Sequence, residues 1–155
     1  MDIAVKWRYF RHLLGFEDEG AVSRYLWHIE KRMGPRMAAG LPTDQWKFSV
    51  TDYTDAAQSL LQSMSHVGYL TTDPIPIDYH SELFGGAHRL ACALAIGIPK
   101  VPVLKVPREV WAPRWGESWF VENGMDPEDL RKVRADYETL LGMKNEPNSR
   151  GLARS

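Results

Sequence analysis

Phe84-Gly85-Gly86-Ala87-His88-Arg89-Leu90-Ala91-Cys92-Ala93 is the stretch of this chain whose residue types and spacing point most directly to chemistry. Two adjacent glycines let an extended segment turn sharply into a helix while leaving the first backbone amides uncovered. Those orphan N–H groups, with the positive end of the helix macrodipole behind them, favour a bound anion. A phosphate would rest on the amides of Gly86, Ala87 and His88; Arg89 would neutralise it with forked donors, and His88 would donate a hydrogen bond or shuttle a proton. A plain strand–turn–helix accounts for the glycines as well, and a capping histidine or a surface ion pair accounts for His88 or Arg89 taken singly. The combination is what favours phosphate. Just upstream, Asp78 and Glu82 are candidates for the carboxylate that orients an acceptor hydroxyl in phosphoryl transfer, with a turn or a solvated acid as the alternative for each. Asp73 is a more distant candidate.

The segments that would position these groups alternate between helical and extended patterns. Ala21 to Met33 carries Tyr25, Leu26, Ile29 and Met33 at helical spacing, with Arg24, Lys31 and Arg32 on a polar face and Gly34-Pro35 as the stop. Lys47-Phe48-Ser49-Val50 reads as a short strand or loop, and Thr54 or Asp55 as the cap of a helix with Ala57, Leu60, Leu61 and Met64 that Gly68 ends. Ile75 and Ile77 share one face of an extended segment, and the prolines Pro74 and Pro76, lacking ladder donors, put it at an edge or a strand start. His88 to Ile96 is apolar beyond Arg89, which predicts burial against the sheet on most sides, with Gly97 as the C-cap. Val101 to Val106 reads as a strand that the intervening helix returns to the same sheet. Trp111, Trp115, Trp119 and Phe120 make an aromatic seam, read as core before base-stacking platform. Asn123-Gly124 breaks it, and Asp126-Pro127-Glu128-Asp129 opens a helix ending near Leu141 or Gly142. Met143 to Ser155 reads as a frayed tail.

Composition bounds these readings. At 155 residues the chain has the size of one ordinary domain. Its 19 Lys and Arg nearly balance 20 Asp and Glu, so no bulk field draws it to nucleic acid or an anionic membrane. The single cysteine, Cys92, makes no internal disulfide and suits a reducing compartment, so a cytoplasmic location is expected. Neither a leader nor a run of roughly 20 apolar residues that would cross a bilayer is seen, so no membrane partner is expected.

Ser59 to Tyr69, Asp73 to Asp78, the box Gly86-Ala87-His88-Arg89 and Gly97 to Val103 follow one another as in the ParB/sulfiredoxin-like superfamily, which the chain resembles from about residue 57 to 106. The order in that family is a helix ending in Gly, a strand opening with Pro-Ile, a Gly-x-His-Arg or Gly-x-Arg-Arg box starting a helix, and a strand of the Val-Pro-Val kind. The resemblance implies an α/β (α+β) fold with a small mixed sheet and flanking helices in a core over about 45–106, and the helical patterns on either side add an N-terminal helical region 1–44 and a helical annex 107–142 to the same domain. It also implies a nucleotide held by Gly85, Gly86, Ala87, His88 and Arg89, with Ser63 on the preceding helix.

Single residues separate the branches. Sulfiredoxins carry Phe-Gly-Gly-Cys-His-Arg; Ala87 stands where their reactive cysteine would be, and Cys92 lies deeper in an apolar helix as a filler, so sulfinic-acid repair is not expected. ParB-type partition proteins hold cytidine triphosphate with an Arg-Arg box and continue into a DNA-binding domain for which little chain remains. Free serine kinases carry Asp-Gly-His-His-Arg; here Gly85 replaces that aspartate, which leaves Asp78, Glu82 and His88 as catalytic candidates. Tyr25 to Arg32 and Trp119 to Gly124 are also similar to small ParB-like proteins that accompany surface-polysaccharide enzymes. That similarity implies that Arg24, His28 and Arg32 face the cradle, a solvated basic helix face being the alternative. The expectation is a nucleotide-dependent phosphotransferase that uses ATP or ADP, or CTP, with Mg2+ on a small hydroxylated metabolite. A nucleotide-sensing module with a protein partner or as a homodimer competes with it, and DNA binding is disfavoured.

Overall fold

A computed structural model describes residues 1–41, 47–107 and 115–145. The described chain is predominantly helical with one small sheet, a mixed α+β arrangement in the order α1 (Asp2–Leu13), α2 (Ala21–Ala38), α3 (Val50–Val67), β1 (Ile75–Ile77), α4 (Ala87–Ile96), β2 (Val103–Lys105), α5 (Glu117–Glu122) and α6 (Pro127–Asn145).

Helix α1 is the hub. Ala4, Val5, Trp7, Tyr9 and Phe10 are buried, Asp2 stands in its first turn and Arg11 and His12 in its last, matching the macrodipole. It packs against α4, α2, α6 and α3. One cluster of buried side chains runs from Ala4 through Tyr25, Ala57 and Cys92 to Phe120 and Val133, so the 45–106 segment shares its core with the helices on either side.

In α2, Ala21, Arg24, Tyr25, His28 and Ile29 are buried at i, i+3, i+4, i+7 and i+8, the stripe expected of a half-buried helix. Gly34-Pro35 does not end it. Pro35 lies inside the helix, which continues to Ala38. The proline forfeits one N–H bond, to the Lys31 carbonyl, and Lys31 is exposed, so water can satisfy that carbonyl. Neither Thr54 nor Asp55 caps α3. The cap is Ser49, whose hydroxyl accepts from the Asp52 amide (3.2 Å) while the Asp52 carboxylate accepts from Ser49 N (2.8 Å). Gly68 (φ 74°) ends α3 as expected.

Strands β1 and β2 pair in parallel, Ile75 opposite Val103 and Ile77 opposite Lys105, with α4 as the crossover. Ile75 and Ile77 are buried on one face. The other edge of β1 is met by the loop before the cradle: Ile77 bridges Leu83 antiparallel and Phe84 N donates to the Pro76 carbonyl at 2.9 Å. Gly97 (φ 81°) caps α4. The apolar faces of α4 are buried chiefly against α1 and α3, not against the sheet, because a two-strand sheet of three residues each offers too little surface.

Of the aromatic seam, Trp115, Trp119 and Phe120 converge on α2: Phe120 stacks on His28 (centroids 5.3 Å) and on Trp27 (6.0 Å), and Trp119 meets both edge-on. Trp111 lies outside the described residues. Helix α6 is capped by Asp126, which accepts from Glu128 N at 2.8 Å, and runs past Leu141 and Gly142 to Asn145, three residues into the expected tail. None of these helices is long and apolar enough to cross a membrane.

Candidate functional site

The turn into α4 has the geometry the glycines call for. Gly86 is left-handed (φ 75°, ψ 16°), no side chain caps the helix, and its first intrahelical bond is Leu90 N to the Gly86 carbonyl (2.9 Å). The amides of Ala87, His88 and Arg89 therefore face outward at the positive end of the helix. They open on a cavity of about 610 Å³, whose wall includes Gly85, Gly86, Ala87, His88 and Arg89 together with Glu82 and Phe84. The opposite wall is α1 and α2, with Asp2, Lys6 and Arg32, and the sides are Lys47, Tyr53 and Leu60 from α3 and the segment before it. Four cationic side chains (Lys6, Arg32, Lys47, Arg89) and three carboxylates (Asp2, Asp73, Glu82) thus line it among the described residues, with the α4 dipole on the positive side.

Arg89 folds back over the turn it follows. A Cβ on Gly86 would lie 3.0 Å from its Nη2, so the glycine leaves room for the guanidinium as well as supplying the positive φ. Nη1 donates to the Asp73 carbonyl (2.7 Å) and pairs with the Asp73 carboxylate, which is exposed. Arg89 thereby ties α4 to the segment before β1 while one flank of the guanidinium reaches the cavity.

His88 differs from expectation. Its Nε2 meets the Tyr25 hydroxyl at 2.9 Å. Burial, then the positive charge of Lys6, drive its pKa well below the ordinary histidine value, so it stays neutral and adds no charge to the cradle. Asp78 departs further. It is buried, it is absent from the cavity wall, and its Oδ1 accepts from the amides of His80 and Glu82 (both 2.8 Å). Asp78 is thus the organiser of the 78–82 turn, which also holds Ser81 at φ 64°. Of the two expected carboxylates, Glu82 alone reaches the cavity.

The helix-borne candidates also separate. Arg32 lines the cavity, donates to Asp2 at 3.2 Å and lies 4.6 Å from the Trp115 ring centroid. His28 sits behind it, fully buried, with Nε2 2.6 Å from Asp2. Burial lowers its pKa to about 4 against the opposing pull of Asp2, so the neutral ring donates Nε2–H to the carboxylate. Burial opposes ionisation of Asp2, but Lys6, the His28 hydrogen bond and Arg32 hold it well below the usual carboxylate range. Arg24 does not face the cradle. It is buried on Asp18 (2.6 Å) and Asp129 (3.2 Å), joining α2 to the start of α6. Ser63 is exposed on α3 and lines a separate shallow depression with Gln62 and His66. Cys92 is fully buried, and burial pushes its thiol up to about 12, in keeping with a filler.

Lys6, Lys47, Tyr53 and Tyr25 were not singled out as site residues by sequence. Lys6 had a signal: it falls on the stripe Ile3, Lys6, Trp7, Phe10, where a lysine among apolar residues marks a charge directed inward. No local pattern distinguishes the others. Among the described residues no three His, Cys, Asp or Glu side chains gather to hold a metal ion.

No family model matches this chain, and no curated protein or solved structure matches it significantly.

Proposed function

We propose that the chain is a nucleotide-binding protein of ParB/sulfiredoxin-like type, with the phosphates of a nucleoside di- or triphosphate on the α4 turn. The observation that carries this reading is the uncapped α4 N-terminus opening, with Arg89, onto one cavity that Lys6, Arg32 and Lys47 also line. A parallel pair of strands joined by a helix that begins at the Gly-Gly-x-His-Arg box supports the same reading. At about 610 Å³ the cavity falls within the range of small-molecule sites. Phosphates laid on the α4 amides exchange those amides' water for charge-assisted bonds, and Arg89 shares its donors between Asp73 and the ligand.

A second reading, phosphoryl transfer to a small hydroxylated metabolite, is favoured by Glu82 at the cavity wall. In it the acceptor hydroxyl oxygen bonds to the terminal phosphorus, the bond to the bridging oxygen breaks, and the hydroxyl proton passes to Glu82. Magnesium, when carried in on the phosphates, would spread their charge, and Asp73, which lines the wall while pairing with Arg89, is one of the carboxylates that would meet it.

The test is isothermal titration with ATP, ADP and CTP, with and without magnesium. Binding that falls at least tenfold in Arg89→Ala is expected; unchanged affinity would sink the cradle. Nucleotide consumption with an acceptor, lost in Glu82→Gln, marks the transferase, and binding without turnover marks a sensing module.

A further inference from the structure

Neutral histidine presents one N–H and one lone pair, and which of them faces the cavity is fixed by what the other nitrogen meets. Nε2 of His88 meets the Tyr25 hydroxyl at 2.9 Å, with the two rings perpendicular. That hydroxyl has a second neighbour, the Tyr53 backbone carbonyl at 3.4 Å, which is an acceptor and cannot donate. If the hydroxyl donated to Nε2, its lone pairs would be set against the carbonyl oxygen. With the hydroxyl donating to the carbonyl, its lone pairs are free to accept from Nε2–H, and no two acceptors oppose each other.

Tyr25 cannot turn away from this arrangement. Its ring is fully buried and lies flat on Tyr9, with centroids 4.0 Å apart and planes within 4°. Burial and the neighbouring Tyr9 also raise its pKa, so the hydroxyl keeps its proton. The hydrogen bond of the His88 ring is made through Nε2, its Nδ1 is not among the fully buried polar atoms left without a partner, and His88 lines the cavity.

We propose that Tyr25 is a positioning residue that holds His88 as the Nε2–H tautomer, so that Nδ1 offers the cavity a lone pair and the ligand must present a hydroxyl or N–H to it. This rests on the nucleotide reading for the identity of the ligand. Of the two roles expected from sequence, donating a hydrogen bond to phosphate or shuttling a proton, it reverses the first. Phosphate oxygens are largely deprotonated at neutral pH and act chiefly as acceptors, so they lie on the α4 amides and Arg89, while a ribose hydroxyl or an N–H of the organic part faces His88.

Two measurements decide it. Long-range 1H–15N NMR of the imidazole rings reads the tautomer without any ligand, the His88 signal being assigned by its loss in His88→Gln. The Nε2–H form is expected in the wild type and a mixture in Tyr25→Phe; an Nδ1–H form or an imidazolium at pH 7 in the wild type overturns the proposal. Titration with ATP and with inorganic tripolyphosphate then separates the two parts of the ligand. Tyr25→Phe is expected to weaken ATP about fivefold and to leave tripolyphosphate unchanged. An equal loss for both probes overturns the assignment of His88 to the organic part. Failure of both probes to bind the wild type would refute the nucleotide reading and with it the ligand named here, whereas the tautomer held by Tyr25 is decided by the spectrum alone.

Discussion

At the scale of single residues the site depends on which ionisable groups keep or lose their charge. His28 is the most sharply defined. It is fully buried against Phe120 and Trp119, and burial brings its pKa from 6.5 to about 4 despite its bond to Asp2. A histidine depressed in the folded state binds fewer protons there than in the unfolded chain, so stability falls as pH drops from 6.5 toward 4. His88, depressed by burial, acts in the same direction. Asp2, held below its ordinary 3.8, contributes stability that is lost only beneath that value and is silent between pH 7 and 5. Urea denaturation should therefore show the protein losing about 2 kcal/mol between pH 7 and 5 on account of His28. His28→Gln, which keeps a donor toward Asp2 and cannot titrate, should recover most of that difference; an undiminished pH dependence in the variant would place its origin elsewhere.

At the scale of elements the α4 turn shows both what was legible in the chain and what was not. The two glycines, the helix they start and its Gly97 end follow from backbone chemistry that operates within a few residues, and the structure has them as expected. The α3 cap and the length of α2 were misread because local propensity leaves them open: Ser49 competes with Thr54 and Asp55 as an N-cap, and a proline near an exposed helix end costs too little to stop it. Nothing local could show that Arg89 returns over Gly86 to hold Asp73. That return makes Gly86 doubly restrictive. Gly86→Ala meets a positive φ of 75°, worth roughly 1–2 kcal/mol. Its Cβ would also press on a guanidinium that Asp73 keeps from moving aside. A loss of about that size in urea denaturation is expected, accompanied by weaker tripolyphosphate binding as Arg89 is displaced; full affinity would show that Arg89 can shift without consequence for the anion.

At the scale of the whole molecule the cavity is made by helices far apart in sequence, which is why half of it was hidden. Glu82 to Arg89 are contiguous and could be read as a motif, and Arg32 was expected at the cradle, whereas Asp2 and Lys6 arrive because α1 packs at once on α2 and α4. The same long-range packing decides the role of Arg24, about two turns before Arg32 on α2. Its side chain is only 2% exposed and is spent on Asp18 and Asp129, so it closes α2 onto the start of α6 and does not reach the ligand wall. Removing it takes a buried cation from Asp18, which keeps Arg8 at 3.2 Å, and from Asp129, which is partly in water. With Asp18 still paired and Asp129 partly hydrated, loss of the charged hydrogen bonds of Arg24 costs roughly 1–3 kcal/mol, which Arg24→Ala should show as a drop in melting temperature. Nucleotide affinity of the folded variant, titrated well below that temperature, should stay within about twofold of the wild type, since the α4 turn, Arg89 and Arg32 are untouched. A tenfold loss of affinity, as expected of Arg89→Ala, would instead mean that Arg24 acts on the ligand and that α2 presents a different face to the cavity.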